Sequence, residues 1–227
     1  MTGLIDYFYH SRFLGGVFHT LIYCLKRELG DCRSVLDLGC GPSSPLQYCK
    51  NVKYSVGVEA FNPYLRESVN KKIHNEYIEK KIEEIDFPEK SFDAVIMIEV
   101  LEHLTKQAGY KILKKAEKWA RKKVVISTPN GFFPMRKVDG NDGQRHLSGW
   151  KVNELIRKGY DCNGLAGFKV FYCQENQVES LSKGSENTFL NMRFKPRKIM
   201  YIITAFGQIL AYHFPRYSFE IFAVKKK

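Results

Sequence analysis

Apolar and charged blocks alternate along this chain and predict strands and helices in turn. Short runs of β-branched and aliphatic residues predict five strands, at 34–39, 54–59, near Tyr77, 91–100 and 122–128. Charged stretches with helical spacing separate them at 63–75 and 105–122, and the second places Leu113, Ala116 and Ala120 on one face. This alternation predicts a parallel α/β sheet with helices on both faces and ligands at the carboxyl ends of the strands.

The first residues form an aromatic and aliphatic stretch ahead of this alternation. Residues 7–29 predict one or two helices, interrupted at Gly15 and Gly16. We therefore assign residues 1–32 to an N-terminal helical segment that can act as a lid.

A second apolar run, at 199–214, lies close to the C-terminus. It contains Gln208 and His213 and is shorter than the roughly 20 apolar residues that a membrane-spanning helix requires. Basic residues flank it, namely Arg193, Lys195, Arg197, Lys198 and Arg216. Two interpretations stay open. The first is a helix, within a helical insertion at 174–216, that packs on the sheet or forms a lid or a dimer contact. The second is a helix in 193–216 that contacts an anionic membrane peripherally.

Length, charge and cysteine content narrow the class of protein. The 227 residues suffice for one α/β domain with its own core. The net charge of +12 suits nucleic acid, anionic lipid or an acidic substrate. The six cysteines have spacings that fit neither a zinc site nor a disulfide framework, so we predict no metal and expect buried thiols. We find no secretory or transit signal and expect a cytoplasmic protein.

The stretch VLDLGCGPSS, from Val35 to Ser44, has the composition of a ligand-binding loop. If the first strand ends near Gly39, the loop lies at the carboxyl edge, leads into a helix and offers free amides to a small anion. Glu59 ends the second strand, where an acid can accept hydrogen bonds from both hydroxyls of a ribose. Because Ser44 stands where a dinucleotide site has its third glycine, we predict a nucleoside ligand without a pyrophosphate.

VLDLGCGPSS resembles the first motif of the class I S-adenosylmethionine-dependent methyltransferases, particularly the type 11 group that includes ubiquinone-type O-methyltransferases. The resemblance continues through VGVEAFNPYL, IDFPEKSFDAVIMIEVLEHL and VVISTPNGFFP, in the family's order, and spans residues 33–170. It implies a Rossmann-like doubly wound sheet of seven mostly parallel strands, with SFEIFAVKKK as an antiparallel last strand. It also implies a methyltransferase domain at 33–227, with S-adenosylmethionine as cofactor and S-adenosylhomocysteine as product.

The resemblance assigns roles to five residues of the cofactor site. Asp37, Gly39 and Gly41 would line the methionine end of the cofactor. Glu59 would hold the ribose, and Glu99 would lie beside the sulfonium. The alternatives are that Asp37 only caps the loop and that Glu59 is a solvated strand end.

The adenine end departs from the family pattern. The acid that often receives the adenine amine after the third strand is replaced by Lys81, in YIEKKIEEID. The backbone amide of Ile82 could still contact the adenine ring, and Glu83 could substitute for the missing acid.

Several residues are candidates for the acceptor side of the reaction. His146, in RHLSGW, is our candidate catalytic base, and Glu102 with His103, in LEHL, is an alternative. A structural role is the competing interpretation for each. Trp150 would support a pocket near His146, and Asn130, in STPNG, could face an acceptor.

The sequence thus predicts a methyltransferase, and we expect O-methylation of a small-molecule, lipid-linked or glycan precursor. The fourth strand is not followed by the Asn/Asp-Pro-Pro-aromatic tetrad of relatives that methylate the amino groups of adenine or glutamine. In-line transfer from an activated methyl donor depends mainly on orientation, so a general base is optional. The alternatives are an RNA methyltransferase, or a nucleic-acid-binding module that retains the fold without turnover.

Overall fold

The computed structural model describes residues 11–135, 139–172, 193–194 and 197–227. Its strands are β1 (Ser34–Leu38), β2 (Tyr54–Val58), β3 (Glu76–Ile78), β4 (Phe92–Ile98), β5 (Ala120–Pro129), β6 (Asp161–Phe168) and β7 (Ser218–Lys226). They form a seven-stranded sheet in the order β3-β2-β1-β4-β5-β7-β6. The first five strands are parallel, and β7 is antiparallel to both β5 and β6. The predicted sheet, with an antiparallel last strand, is confirmed.

Six helices accompany the sheet in the described part of the chain: α1 (Arg12–Phe18), α2 (Leu21–Glu28), α3 (Asn62–Asn70), α4 (Lys106–Trp119), α5 (Val152–Arg157) and α6 (Arg197–His213). Side-chain caps define where several of them begin. Ser11, Thr20 and Thr105 each accept a hydrogen bond from a backbone amide in the first turn of the helix that follows. None of these helices has the length and apolar character needed to cross a membrane.

The two faces of the sheet carry separate apolar cores. Successive residues of a strand point to opposite faces, so Leu36 packs with α4 while Val35 packs with α2 and α6. Trp119 of α4 and Leu25 of α2 are fully buried in these two cores. Because both faces are covered, the central strands are apolar along almost their whole length, as expected for a parallel sheet between helices.

The strand order reverses between β1 and β4, which are neighbours in the sheet. From β1 the chain proceeds outward through β2 to β3, and it then returns to β4 and continues to β5 on the other side. The loops after β1 and β4 therefore leave the same edge in opposite directions. A crevice at such a reversal is the usual ligand site of doubly wound sheets.

Two local predictions are wrong, and one strand is missing from the predicted set. Gly15 and Gly16 lie inside α1, and the chain breaks instead at His19, whose φ is +48°. The loop after β1 leads only into a short 3₁₀ turn, Pro45–Tyr48, so it offers no helix N-terminus to an anion. Strand β6 was not predicted.

Part of the predicted N-terminal segment, part of the predicted insertion and one cysteine lie outside the described residues. Residues 1–10 and 174–192 lie outside the described residues, and so does Cys173. The other five cysteines are free thiols; four of them, Cys24, Cys32, Cys40 and Cys49, are buried, and Cys162 is partly buried.

Candidate active site

The loop from Gly39 to Ser44 leaves β1 and folds over the end of β2. Gly39 and Gly41 have φ values of +67° and +55°, a region that favours glycine. A Cβ on Gly39 would lie 2.7 Å from Cγ2 of Val100, whereas a Cβ on Gly41 would meet nothing within 4 Å. Packing therefore requires glycine at position 39, while Gly41 leaves open space above the backbone that a ligand can enter.

Asp37 lies beneath this loop and is only 2% exposed. Its carboxyl accepts a hydrogen bond from the Ser44 hydroxyl, and its Oδ2 lies 3.5 Å from Nε2 of His74. Burial, with a contribution from the charge of Glu59, raises the pKa of Asp37 to about 7, although the Ser44 bond opposes the shift. Burial also lowers the pKa of His74 to about 4. Asp37 thus supports the loop from below, and its contact with a ligand stays a prediction.

Glu59 follows β2 and is partly exposed at the carboxyl edge. Its Oε2 accepts from the Gly41 amide at 3.1 Å, and its Oε1 accepts from the Phe61 amide at 2.8 Å. Each carboxylate oxygen keeps a further lone pair, so the carboxylate can accept two more hydrogen bonds from a diol. On the outer side of the loop, Nζ of Lys71 donates to the Pro42 carbonyl at 3.0 Å.

The segment after β3 borders the same crevice. The amide of Glu59 donates to the carbonyl of Ile78, the last residue of β3, at 3.1 Å. Ile82 begins a short 3₁₀ turn, Ile82–Glu84, and its side chain is buried in the core. Lys81 and Glu83 are exposed. Only the backbone of Ile82 is therefore available to a ligand, and its contact with adenine stays a prediction.

Glu99 follows β4 in a left-handed conformation, with φ of +56°. Such a φ is uncommon for a residue with a side chain and often marks functional sites. The Ser127 hydroxyl donates to Oε1 of Glu99 at 2.7 Å, and the Glu99 amide donates to the Ser127 carbonyl at 3.0 Å. Glu99 is accessible to solvent, and its carboxyl also interacts with that of Glu220 on β7.

Glu102 lies in the 3₁₀ turn after β4 and is buried. Its Oε2 accepts from the Thr128 hydroxyl at 2.8 Å. Its backbone carbonyl accepts from the amides of Leu147 and Ser148, at 2.7 and 3.1 Å. These bonds join the turn after β4 to the segment that follows β5. Burial, reinforced by the charge of Glu99, raises the pKa of Glu102 well above its usual range.

The Glu102–Leu147 and Glu102–Ser148 bonds bring His146 next to His103. The two imidazole rings meet edge to face, with centroids 4.9 Å apart. One potential ligand atom from each of Glu102, His103 and His146 lies within 4.8 Å of the other two. Burial lowers the pKa of both histidines, that of His146 to about 4 with help from neighbouring His103. Both imidazoles are neutral near pH 7, and His146 is a weak general base.

Asn130 and Trp150 do not line the crevice, so the predictions made for them are wrong. The Asn130 amide is buried and donates to the backbone carbonyls of Pro215 and Ser218 at 3.0 and 2.9 Å. Trp150 is fully buried and donates from Nε1 to the Leu101 carbonyl at 3.1 Å. Both residues hold the scaffold around the acceptor side rather than contact an acceptor.

The crevice therefore has two halves of different chemistry. The cofactor half comprises Asp37, the loop Gly39–Ser44, Glu59 and Ile82, where backbone amides and one open carboxylate can bind a nucleoside. The acceptor half comprises Glu99, Glu102, His103, His146 and Glu220, where carboxyl and imidazole groups converge. The sequence analysis proposed the first four of these as candidate site residues but did not predict that they lie together. It did not propose Glu220, because nothing in the sequence of β7 indicates a ligand site.

Comparison with known proteins finds a family similarity over part of the chain. Residues 36–127 match the family model described as "Methyltransferase domain". No match to the chain was found among curated protein sequences.

Solved structures with this fold are distant in sequence. A SAM-dependent methyltransferase from Archaeoglobus fulgidus is 19% identical, with a TM-score of 0.53, over 95% of this chain and 98% of that one. The plantazolicin methyltransferase BpumL, in complex with SAH, is 12% identical, with a TM-score of 0.52, over 96% and 84%. The methyltransferase domain of bacterial CtHen1 is 17% identical, with a TM-score of 0.51, over 91% and 97%.

Proposed function

We propose, from the premise that residues 36–127 form a methyltransferase domain with S-adenosylmethionine as its methyl donor, that this protein methylates a hydroxyl oxygen. The acceptor is a small-molecule, lipid-linked or glycan precursor. The observation that carries the proposal is the convergence of Glu99, Glu102, His103 and His146 in the acceptor half. These groups accept hydrogen bonds and can orient a hydroxyl, whose proton must leave during transfer.

The cofactor half fits S-adenosylmethionine. The open space above Gly41 admits a ligand against the backbone, and the Glu59 carboxylate retains acceptors for a ribose diol. In the proposal, Asp37 and Gly39 support the methionine end, the Ile82 backbone borders adenine and Glu99 faces the sulfonium. The bound cofactor supplies a methyl group on a positively charged sulfur, which is already activated for transfer.

The acceptor half orients the acceptor and excludes water. Holding an oxygen in line with the methyl group can contribute about 7–11 kcal/mol to lowering the barrier, so positioning alone provides substantial catalysis. His146 was our candidate base, but its lowered pKa makes it a poor proton acceptor near pH 7. We therefore assign His146 to orientation of the acceptor rather than to proton removal.

An exposed apolar stripe on α6 favours an acceptor with a lipid part. The stripe consists of Ile199, Ile202, Ile203, Phe206 and Leu210. Thr204 lies next to Gly167 and Ala211 next to Gly164, so α6 runs antiparallel to β6 and begins at the carboxyl edge. Large exposed apolar surfaces of this kind mark binding sites for apolar partners. The stripe can hold a lipid chain, or contact a membrane peripherally, beside the acceptor half.

The second candidate is an RNA methyltransferase or a nucleic-acid-binding module that does not turn over. The net charge of +12 favours it, because a basic surface attracts phosphate backbones. Salt-sensitive RNA binding without any affinity for S-adenosylhomocysteine would support the binding module over the enzyme.

The first test is calorimetric titration of the full chain with S-adenosylmethionine and S-adenosylhomocysteine. We expect binding by the wild type and at least a tenfold loss in Glu59→Ala, because each lost hydrogen bond to a charged group costs about 1.5–3 kcal/mol. Glu89→Ala is the matched control, since Glu89 lies before β4, is exposed and pairs with the exposed Lys118. Equal affinity in wild type and Glu59→Ala would show that the cofactor half is misplaced.

Methyl transfer itself is tested with isotopically labelled S-adenosylmethionine and fractions of a cell extract. We expect label in an organic-soluble or glycan fraction, as a methyl ether or ester. Label in RNA alone would favour the second candidate.

A further inference from the structure

Glu102, His103 and His146 form a side-chain cluster that the cofactor half does not use. Their three nearest ligand atoms, one from each residue, all lie within 4.8 Å of one another, so one cation could contact all three. The sequence offers no metal signature here, because 42 residues separate His103 from His146. The cluster arises only where the loops after β4 and β5 meet.

In each of the two imidazoles, Nδ1 lies within hydrogen-bond reach of a backbone carbonyl. Nδ1 of His146 lies 2.5 Å from the Phe133 carbonyl, and Nδ1 of His103 lies 3.4 Å from the Arg145 carbonyl. A carbonyl can only accept, so each Nδ1 carries the ring proton and each Nε2 keeps its lone pair. Histidines that bind metals usually have their other nitrogen held in this way.

The surrounding carboxyl groups lack a positive partner. Across the described residues, no Lys or Arg forms an ion pair with Glu99, Glu102 or Glu220. Oε1 of Glu220 is buried and has no hydrogen-bond partner in the same part of the chain. Buried carboxyl groups are costly unless they are protonated, paired with a cation or bound to a metal. A divalent cation in the cluster would satisfy this requirement for Glu102, the buried carboxyl group that belongs to it.

We propose that Glu102, His103 and His146 bind a divalent transition-metal cation, such as Mn²⁺, and that the oxygen of the methyl acceptor takes a further coordination position. Two imidazoles and a carboxylate suit such ions better than Mg²⁺ or Ca²⁺, which prefer oxygen ligands alone. The part concerning the acceptor rests on the proposed function, whereas cation binding does not.

The cation would assist transfer by holding the acceptor oxygen and lowering the pKa of its hydroxyl. The hydroxyl proton passes to water, and the oxygen forms a bond to the methyl carbon. The carbon–sulfur bond breaks with its electron pair remaining on sulfur, which yields S-adenosylhomocysteine. No oxidant or reductant takes part.

The test is a titration of the metal-free full chain with Mn²⁺. Electron paramagnetic resonance measures the concentration of free Mn²⁺ at each step of the titration. We expect one saturable site in the wild type and in His213→Ala, which alters an exposed histidine. His103→Ala and His146→Ala should each weaken binding by more than the roughly 10–100-fold typical of losing an outer-shell partner. Glu102→Gln, a nearly isosteric change, should weaken it as well.

The outcomes separate this inference from the proposed function. S-adenosylhomocysteine binding is measured on the same samples, and circular dichroism confirms folding of each variant. Absence of saturable Mn²⁺ binding in the wild type would overturn the cation site while leaving a methyltransferase that binds its product. Saturable binding that persists unchanged in Glu102→Gln and both histidine variants would also overturn it. Mn²⁺ binding without S-adenosylhomocysteine binding would support the cation site and contradict the proposed function.

Discussion

The cofactor half and the acceptor half lie at one edge of the same sheet but are built in opposite ways. In the cofactor half, the Glu59 carboxylate is held by the amides of Gly41 and Phe61, which are close to it in sequence or in the neighbouring loop. In the acceptor half, Glu102 depends on Thr128 and the amide of Leu147, which belong to later elements. Backbone amides of nearby loops hold the cofactor half together, whereas the acceptor half depends on contacts with residues that are distant in sequence.

This difference explains where each half is sensitive. Backbone conformation controls the cofactor half, so substitutions at its glycines should act through strain and packing. Satisfaction of buried polar groups controls the acceptor half, where a lost donor leaves a carboxyl unpaired at a cost of about 1–3 kcal/mol. The four predictions below test this comparison, from the largest effect to the smallest.

Gly39→Ala should lower the free energy of unfolding by about 2–5 kcal/mol. A left-handed φ costs alanine roughly 1–2 kcal/mol, and the new Cβ would overlap Val100, for which overpacking costs about 1–3 kcal/mol. Gly41→Ala should cost only the backbone part but weaken S-adenosylhomocysteine binding. Denaturant unfolding and calorimetry measure the two effects. Equal stability losses with unchanged affinity in Gly41→Ala would contradict the open-space interpretation.

The free energy of unfolding should depend on pH through His74, which lies beside Asp37 in the cofactor half. Its pKa is about 4 in the folded protein against about 6.5 unfolded, so the unfolded chain binds more protons between these values. The wild type should therefore lose stability relative to His74→Gln as pH falls from 6.5 to 4, by about 1.4 kcal/mol per pH unit. Denaturant unfolding across this range provides the measurement. If the difference in stability between the wild type and His74→Gln did not change with pH, the folded protein would not keep the His74 imidazole neutral.

Thr128→Val should lower the free energy of unfolding by about 1–3 kcal/mol, because the buried Glu102 carboxyl loses its hydroxyl donor. Thr128→Ser keeps the hydroxyl and is the matched control. S-adenosylhomocysteine affinity should change little in either variant, since Thr128 belongs to the acceptor side. Thermal unfolding and calorimetry test this, and a large loss of affinity would show that the two halves are coupled.

Lys71→Met should have the smallest effect, below about 1 kcal/mol in stability. Lys71 is exposed, and its bonds to the loop at the Pro42 carbonyl and to Glu67 are open to solvent. The difference from wild type should shrink further in high salt, where exposed charges are screened. A loss of several kcal/mol in unfolding experiments would show that the loop depends on a side-chain clamp.

Local hydrophobic pattern predicted most of the fold. The strands at Ser34–Leu38, Tyr54–Val58 and Phe92–Ile98 are short apolar runs bounded by polar residues, which leave little ambiguity. The break between α1 and α2 was misplaced because glycine is tolerated in a short helix. Tertiary contact decides the break instead, since His19 stacks on Tyr212 with ring centroids 3.8 Å apart.

The candidate site also contains residues whose positions could be predicted from local sequence and residues whose positions could not. The positions of Gly39, Gly41 and Glu59 at the carboxyl edge follow from their places at the ends of predicted strands, since parallel strands bring those ends together. Strand β6 and the roles of Asn130 and Trp150 could not be derived in this way. Their side chains bond to backbone groups of remote segments, and only the packed structure identifies those partners.

The sequence by itself determined the alternation of strands and helices, the glycine loop after β1 and the acid after β2, because each depends on neighbours within a few residues. Only the tertiary structure decided that Glu102 and His103 meet His146 and that Glu220 lies beside Glu99. The order of strands in the sheet places β7 next to β5 and folds the segment after β5 over the end of β4. Such proximity depends on how whole elements pack, and no local pattern of residues contains that information.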